Sequence, residues 1–459
     1  MNITPDIFRA YDIRGVVTDQ LTPAAVEQIG RAFGTECVER DIPKVVVARD
    51  GRLSGPDLIA ALSRGIQSTG THIIDIGMVP TPVLYFATYH LGTGTGIMVT
   101  GSHNPPEYNG LKMVLASDAL FGDGITGLYT RLVDDKLISN NTGTYEEQDI
   151  LQDYLDRIIG DVKLARPMSI AYDCGNGVAG AAAPQMFDAL GCKSDSLFTE
   201  VDGTFPNHHP DPAKLENLED LIALVKNKGH EIGLAFDGDG DRVGVVDDQG
   251  NVIWPDRQMV LFARDVLERN PGARIIYDVK CSKVLPAAIT AAGGVPDMWK
   301  TGHSFIKARI KETGAQLGGE MSGHMFFKER WYGFDDALYA AARLLEILSK
   351  TDRPASEIFG EIPNSINTPE LNVLLDEDGA QHAFIKKFVA KSTFDDAELT
   401  TIDGVRADYT DGWGLVRASN TTPSLVIRFE ADTPEAMERI QSQFRKNMQA
   451  VDSSIEVPF

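Results

Sequence analysis

The chain has 459 residues, 43% of them hydrophobic and 24% charged, with 43 Lys and Arg against 66 Asp and Glu for a formal charge of -23. That length suits three or four domains of roughly 100 to 200 residues, and the composition excludes a disulfide-stapled miniprotein, a fibrous repeat or a largely disordered chain. The acidic balance opposes nonspecific binding to nucleic acid or to an acidic membrane face, so a small anionic substrate would need a local cluster of Arg and Lys.

The start, MNITPDIFRAYDIRG, has acids and arginines where a secretory signal needs an apolar run. Cys37, Cys174, Cys192 and Cys281 show no C-x-x-C or zinc-like spacing. Buried thiols in a reducing compartment are expected, and cytoplasmic residence with them. Strand and helix patterns then alternate: a strand at 44–50, a helix from Ser54 to Thr69, a strand at 72–77, a short helix at 83–89 and a strand at 96–100. Ile76 to Pro106 contains no Asp, Glu, Lys or Arg, but Pro80, Pro82 and five glycines interrupt it, so it reads as buried core rather than a membrane span.

The alternation resumes with a strand at 168–173, helical stretches near 178–190 and 213–227, the strand EIGLAF and the run VGVV. It resumes again with a strand at 273–279, helices near 283–292 and 304–312, a strand at MWK and the segment QLGGEMSGHMFF. From Asn367 onward, strand-like runs with amphipathic helices near 379–392 and 434–450 predict an α+β closing domain. The expected architecture is α/β: three tandem α/β domains with mixed sheets and a C-terminal α+β domain around a central cleft. The expected bounds are 1–150, 151–254, 255–365 and 366–459, with junctions at 140–149, 254–256 and 362–369.

The strongest local signal is LAFDGDGDRVGVV, where Asp237, Asp239 and Asp241 alternate with glycine directly after an apolar strand. Three carboxylates this close repel one another unless a cation neutralises them, and hard oxygen ligands suit Mg2+ better than Ca2+ where water and phosphate oxygens must also bind. An EF-hand does not fit, because Arg242 stands where that loop needs glycine and Asp248 replaces its final Glu. A plain Asp-Gly hairpin would not need three acids and an adjacent Arg. A second loop, VTGSHNPPEYNGLK (99–112), presents Ser102 after an apolar strand, either as a nucleophile or as a simple turn. It lacks the G-x-S-x-G of a serine hydrolase.

In GGEMSGH, Glu320 and Ser322 would point the same way along an extended segment and could bind neighbouring sugar hydroxyls. Glu320 with His324 could instead suggest a zinc pair, but too few ligands accompany them. Arg417, Ser419, Asn420 and Thr421 lie in a polar loop that suits phosphate or is merely a hairpin turn. Lys280, Lys300 and His303 add cationic or titratable groups. Gly175, Gly177 and Gly180 have the G-x-G-x-x-G spacing of a dinucleotide fingerprint, with Asp195 beyond. A nicotinamide-dependent oxidoreductase is therefore a rival reading, as is a noncatalytic sugar-phosphate sensor.

Taken in order, FRAYDIRG (8–15), TGSHNPPEYNGLK, DGDGDR, KTGHS, GEMSGH and RASNTTP run over nearly the whole chain. Together they resemble the phosphomannomutase/phosphoglucomutase branch of the phosphohexomutases. The resemblance implies interconversion of hexose 1-phosphate and hexose 6-phosphate, of mannose and/or glucose, through a phosphoserine and a 1,6-bisphosphate intermediate. It implies that Ser102 is the phosphoserine and, with Asp237, Asp239 and Asp241, holds Mg2+, with Arg242 adjoining. Arg14, Lys112 and His303 would lie near the transferred phosphoryl or reacting hydroxyl. Glu320 and Ser322 would bind the sugar and Arg417, Ser419, Asn420 and Thr421 the distal phosphate, with Tyr11, Lys280 and His324 also at the substrate. A hexose 1,6-bisphosphate would serve as activator, the partners would be sugar phosphates rather than nucleic acid or membrane, and a monomer or weak oligomer is expected. Phosphoglucosamine mutase is the near alternative.

Overall fold

Runs such as Val45–Ala48 have no polar alternation because both faces of the strand are covered, and all four residues are fully buried. In the computed structural model, which describes residues 3–140, 142–377, 379–420 and 422–459, such strands build four sheets. The first orders Ile13–Val16, Tyr108–Leu115, Gly96–Val99, Lys44–Arg49, His72–Met78 and Tyr145–Glu147, with Asp118–Ala119 added beside Tyr108–Leu115. Lys44–Arg49 pairs parallel with both neighbours, whereas Tyr108–Leu115 runs antiparallel to Gly96–Val99. Tyr145–Glu147 lies within the polar stretch 140–149, so that stretch contributes an edge strand.

The second sheet orders Val252–Ile253, Val243–Asp247, Ile232–Phe236, Ser169–Asp173 and Lys193–Leu197. The third orders Val295–Trp299, Arg274–Asp278, Leu317–Gly319 and Met325–Phe327. Both mix parallel with antiparallel pairing. The fourth is antiparallel throughout, centred on Gly412–Ala418 and Ser424–Ala431, with helices Ala380–Lys391 and Pro434–Val451 packed against it.

One apolar cluster runs from Val46 of the first sheet through Ile170 and Phe236 of the second to Ile275 and Phe327 of the third. Helix Ala337–Leu348 lies within this shared core. Eleven of its twelve residues are buried, including the two charged ones, Arg343 and Glu346, which lie one turn apart on a face that other segments cover. Its Arg343 is neutralised by Asp265 and Glu329, each at 3.0 Å. The fourth domain instead has its own core around Phe388, Phe429 and Phe444. It meets the third through Val279, Trp413 and Leu415, and through Arg406, which donates to the carbonyls of Val279 and Cys281 at 2.7 Å. All four cysteines are free thiols. Among the described residues, no helix is long and apolar enough to cross a membrane.

The G-x-G-x-x-G stretch is a packing device. A Cβ at Gly177 would lie 2.9 Å from the Gly238 Cα, and one at Gly180 would lie 2.0 Å from the Thr199 carbonyl oxygen. Backbone fills the space a pyrophosphate would need. Gly180→Ala is expected to cost about 1–3 kcal/mol, because the clash is with main chain that cannot turn aside. Urea unfolding checks this, and the wild-type chain should show no binding of a nicotinamide dinucleotide by calorimetry.

Candidate active site

The chemistry-bearing loops leave the carboxyl ends of strands, where open α/β sheets place their ligands. Ser102 follows Gly96–Val99, the Asp triplet follows Ile232–Phe236, Lys280 follows Arg274–Asp278, His303 follows Val295–Trp299, and Glu320 follows Leu317–Gly319. The fourth sheet adds Arg417 from Gly412–Ala418 and Ser419 just beyond it. They converge on a cavity of about 740 Å³, within the size range of small-molecule sites.

Ser102 is 1% exposed and takes a left-handed backbone, φ 51°. Its hydroxyl donates to Asp237 Oδ2 at 3.3 Å and lies 3.1 Å from His103 Nδ1. The acidic loop is pressed against it from the second domain, since a Cβ at Gly238 would sit 2.4 Å from the Ser102 carbonyl oxygen. This backbone approach explains why glycine separates the first two acids.

Asp237, Asp239 and Asp241 are each fully buried, with ligand oxygens within 4.8 Å of one another. Asp237 Oδ1 accepts the backbone N–H of Asp241 at 3.0 Å and of Arg242 at 3.1 Å. The first domain neutralises the other two: Lys112 Nζ donates to Asp239 at 2.7 Å and Asp241 at 2.5 Å, and Thr81 Oγ1 donates to Asp239 at 2.6 Å. Burial raises all three carboxyls. In Asp237 the repulsion of Asp239 and Asp241 adds to it, pushing that group well above the usual range. In Asp239 the Lys112 ammonium prevails, and in Asp241 Lys112 and His324 together hold the group well below its ordinary value. Asp239 Oδ1 has no hydrogen-bond partner, and Asp241 Oδ1 faces the His324 imidazole at 3.2 Å. Orphaned buried acceptors are costly, and an oxygen-only set of three carboxylates fits a hard divalent cation.

The segment 320–324 is a tight turn, which corrects the extended geometry expected for Glu320 and Ser322. Gly323 takes φ 100° and donates to the Glu320 carbonyl at 3.0 Å, so the two side chains are brought together by a turn and by a shared partner. His324 Nδ1 lies 3.0 Å from both Glu320 Oε2 and Ser322 Oγ, and its Nε2 lies 3.2 Å from Asp241 Oδ1. Glu320 also accepts the Gly302 N–H. Burial opposes charge on His324, but Asp241 and hydrogen bonds to Asp241 and Glu320 outweigh it and raise the imidazole to about 9. His324, Asp241 and Asp335 form a second group whose ligand atoms lie within 4.8 Å of one another. His303 is the opposite case: burial, then the Lys307, Lys112 and His324 cations, push it well below its ordinary value.

At the far wall, Arg417 Nε donates to Asp403 at 2.9 Å while its buried Nη2 has no partner. Lys280 pairs with Glu370 at 3.0 Å, and Arg428 donates to the Lys280 carbonyl at 2.6 Å. Asn420 donates to the Tyr11 hydroxyl, which donates to the Thr301 carbonyl at 2.8 Å, linking the first, third and fourth domains. Arg14 bridges Asn104 and Asp12, each at 2.5 Å.

The cavity is thus lined by Tyr11, Arg14, Ser102, Lys112, Arg242, Lys280, His303, Glu320, Ser322, His324, Arg417, Ser419 and Asn420, with the Asp triplet beneath its wall. Thr421 lies outside the described residues. Lys300 is not in the lining; its ammonium lies 5.7 Å from the Phe305 ring centre. Sequence reasoning passed over Asp50, Arg52, Thr81, Lys307, Asp335 and Arg428. Of these, the Asp50-Gly51-Arg52 turn after an apolar strand was the one visible signal. Seven Arg and Lys line the cavity against four Asp and Glu, a local reversal of the -23 total. Counting the triplet brings the acids to seven, so a divalent cation makes the wall net positive.

A serine hydroxyl beside a candidate acidic cation site, at one side of a cleft whose far wall carries a guanidinium with one unpartnered nitrogen, fits an enzyme of phosphoryl transfer. Family models described as phosphoglucomutase/phosphomannomutase match over all four parts of the chain: α/β/α domain I at residues 5–128, domain II at 152–250, domain III at 254–366 and the C-terminal domain at 370–447. The chain belongs to the phosphoglucomutase/phosphomannomutase family and is a phosphohexomutase. It is 56% identical over 453 residues to the phosphomannomutase/phosphoglucomutase of Pseudomonas aeruginosa, covering 99% of this chain and 97% of that one. It is 55% identical over 446 residues to the phosphoglucomutase of Neisseria gonorrhoeae, covering 97% of each. A solved phosphoglucomutase/phosphomannomutase family structure from Burkholderia thailandensis superposes with a TM-score of 0.94 at 52% identity, covering all of both chains.

The two facing imidazoles, 5.6 Å between ring centres, should titrate apart. NMR of the imidazole nitrogens is expected to find His324 still protonated at pH 8 and His303 neutral at pH 6. Because the folded value of His324 is raised, the stability it contributes is present below the unfolded value of about 6.5 and lost as pH rises through 9. His324→Gln should therefore flatten the unfolding free energy between pH 7 and pH 9.

Proposed function

We propose that Ser102 carries the transferable phosphoryl and that Asp237, Asp239 and Asp241 hold Mg2+ beside it. The observation that carries this reading is the buried hydroxyl 3.3 Å from Asp237, next to three carboxylates within 4.8 Å of one another, with Asp239 Oδ1 lacking any partner. Bound there, Mg2+ would supply electrostatic neutralisation of the phosphoryl oxygens. The chain's own groups do the rest.

A hexose monophosphate binds with its phosphate against Arg417, Ser419 and Asn420 and with Lys280 nearby, leaving its free hydroxyl toward Ser102. That hydroxyl attacks the phosphorus in line; the bond to Ser102 breaks as the new ester forms, and the attacking hydroxyl gives up its proton. The neutral His303 imidazole is available to accept it. Arg14, Lys112 and Arg242 balance charge on the phosphoryl in transit. The resulting 1,6-bisphosphate turns end for end, and its other phosphoryl returns to Ser102. A distal anion site on a domain with its own core supports acceptance of either end in turn.

Glu320 and Ser322 would hold the 3- and 4-hydroxyls, leaving C2 unread, so mannose and glucose phosphates both fit. A hexose 1,6-bisphosphate serves as activator by restoring the phosphoserine. Free thiols support cytoplasmic residence, and a cleft complete within one chain supports a monomer or weak oligomer.

Intact-mass analysis is expected to find a fraction of wild-type protein with one added phosphate, absent from Ser102→Ala, which should lose turnover. Full activity in Ser102→Ala defeats the reading. Asp239→Asn should abolish most turnover while leaving the folded state intact by circular dichroism, and chelation should do the same to the wild type. A coupled assay on mannose, glucose and glucosamine 1-phosphates with trace bisphosphate should show the first two turned over well ahead of the third.

A further inference from the structure

The nucleophile loop has a polar, solvent-facing tip at Pro105, Pro106 and Glu107 and no core of its own. Arg52, 1% exposed, sits beneath the loop and donates to four of its backbone carbonyls: Nη2 to Ser102 at 2.8 Å and Asn104 at 2.6 Å, Nη1 to Pro105 at 2.6 Å and Tyr108 at 2.9 Å. Asp50 neutralises the guanidinium at 3.3 Å and also accepts from Thr100 Oγ1 at 2.8 Å and the Gly101 N–H at 3.2 Å. Together, residues 50 and 52 grip the main chain from Thr100 to Tyr108. The second domain covers this grip, with the Phe205 ring 5.3 Å from the guanidinium carbon.

A left-handed backbone is strained for serine, and the bond from Arg52 to the Ser102 carbonyl fixes the peptide that follows it. An ammonium group could not replace this fork, because four carbonyls around a plane need divergent donors in fixed directions. We propose that Arg52 is a positioning residue for phosphoryl transfer, holding the loop so that the Ser102 hydroxyl faces the acidic triplet; Asp50 keeps its guanidinium in place. The inference rests on Ser102 as the phosphoryl carrier. Arg52 touches no reacting atom, so its loss should slow the chemical step while leaving sugar-phosphate binding unchanged.

The test uses the full-length chain. Arg52→Lys is expected to lower kcat about 100-fold, as misplacement of a reacting group by about 1 Å does, with KM for the hexose phosphate little changed. Arg52→Ala should fall at least as far and recover several-fold on adding guanidinium ion below unfolding concentrations, an addition that stimulates neither wild type nor Ser102→Ala. Thermal unfolding of each variant gives the folded fraction used to normalise kcat. A folded Arg52→Lys with wild-type kcat overturns the inference, as does a loss that tracks the unfolded fraction and ignores guanidinium. Should neither Arg52 variant fold, Asp50→Asn must give the same split of kcat from KM, and a wild-type kcat in that variant overturns it equally. Ser102→Ala run in parallel separates the two ideas: if it stays active, the phosphoryl-carrier reading fails, and if it is dead while Arg52→Lys is fully active, only the positioning role fails.

Discussion

Three carboxylates crowded within 4.8 Å in a fully buried setting constrain everything built around them. Desolvated like charges at this range repel strongly, and no single domain offsets them. The acids come from the second domain, but Lys112 and Thr81 come from the first, and Arg242 with His324 closes the side toward the third. The joint between domains is therefore an electrostatic necessity as much as a packing one. The first three sheets accordingly share one apolar core, which holds these charges in register.

Close backbone approach is the second device. Gly177 against Gly238, and Gly238 against the Ser102 carbonyl, stack the turn after one strand, the acidic loop and the serine loop with nothing between them. Each contact would be lost to a methyl group. With Arg52 gripping the serine loop from below, hydroxyl and triplet are brought together by main chain and one planar cation rather than by flexible side chains.

The far wall is organised differently. Its cations answer to carboxylates within reach, Arg417 to Asp403 and Lys280 to Glu370, but Arg417 keeps one buried nitrogen without a partner. The domain that carries Arg417 packs about its own Phe388, Phe429 and Phe444 and meets its neighbour through a small apolar patch. Three domains that share one core and carry Ser102 and the acidic triplet, opposed by a separately packed domain that carries Arg417, suit a reaction with a reorienting bisphosphate.

Much of this was legible along the chain. Strands buried on both faces announced themselves as unbroken apolar runs. Helix Ala337–Leu348 went unread although Arg343 and Glu346 mark one face of it, because that face is covered by ion pairs to Asp265, Glu329 and Arg330 rather than by solvent. The G-x-G-x-x-G spacing misled, since glycine that admits a phosphate and glycine that admits another backbone look alike in sequence. Local chemistry and period are properties of neighbouring residues, and these the sequence determined by itself: fold class, the acid-rich loop after Phe236, the serine loop after Val99 and the polar loop after Arg417. The pairing of Lys112 with Asp239 and Asp241, 127 and 129 positions away, the opposite shifts of His303 and His324 and the four carbonyls on Arg52 join residues far apart in the chain. Only the tertiary structure decided those, because burial and charge at a point depend on every segment that meets there.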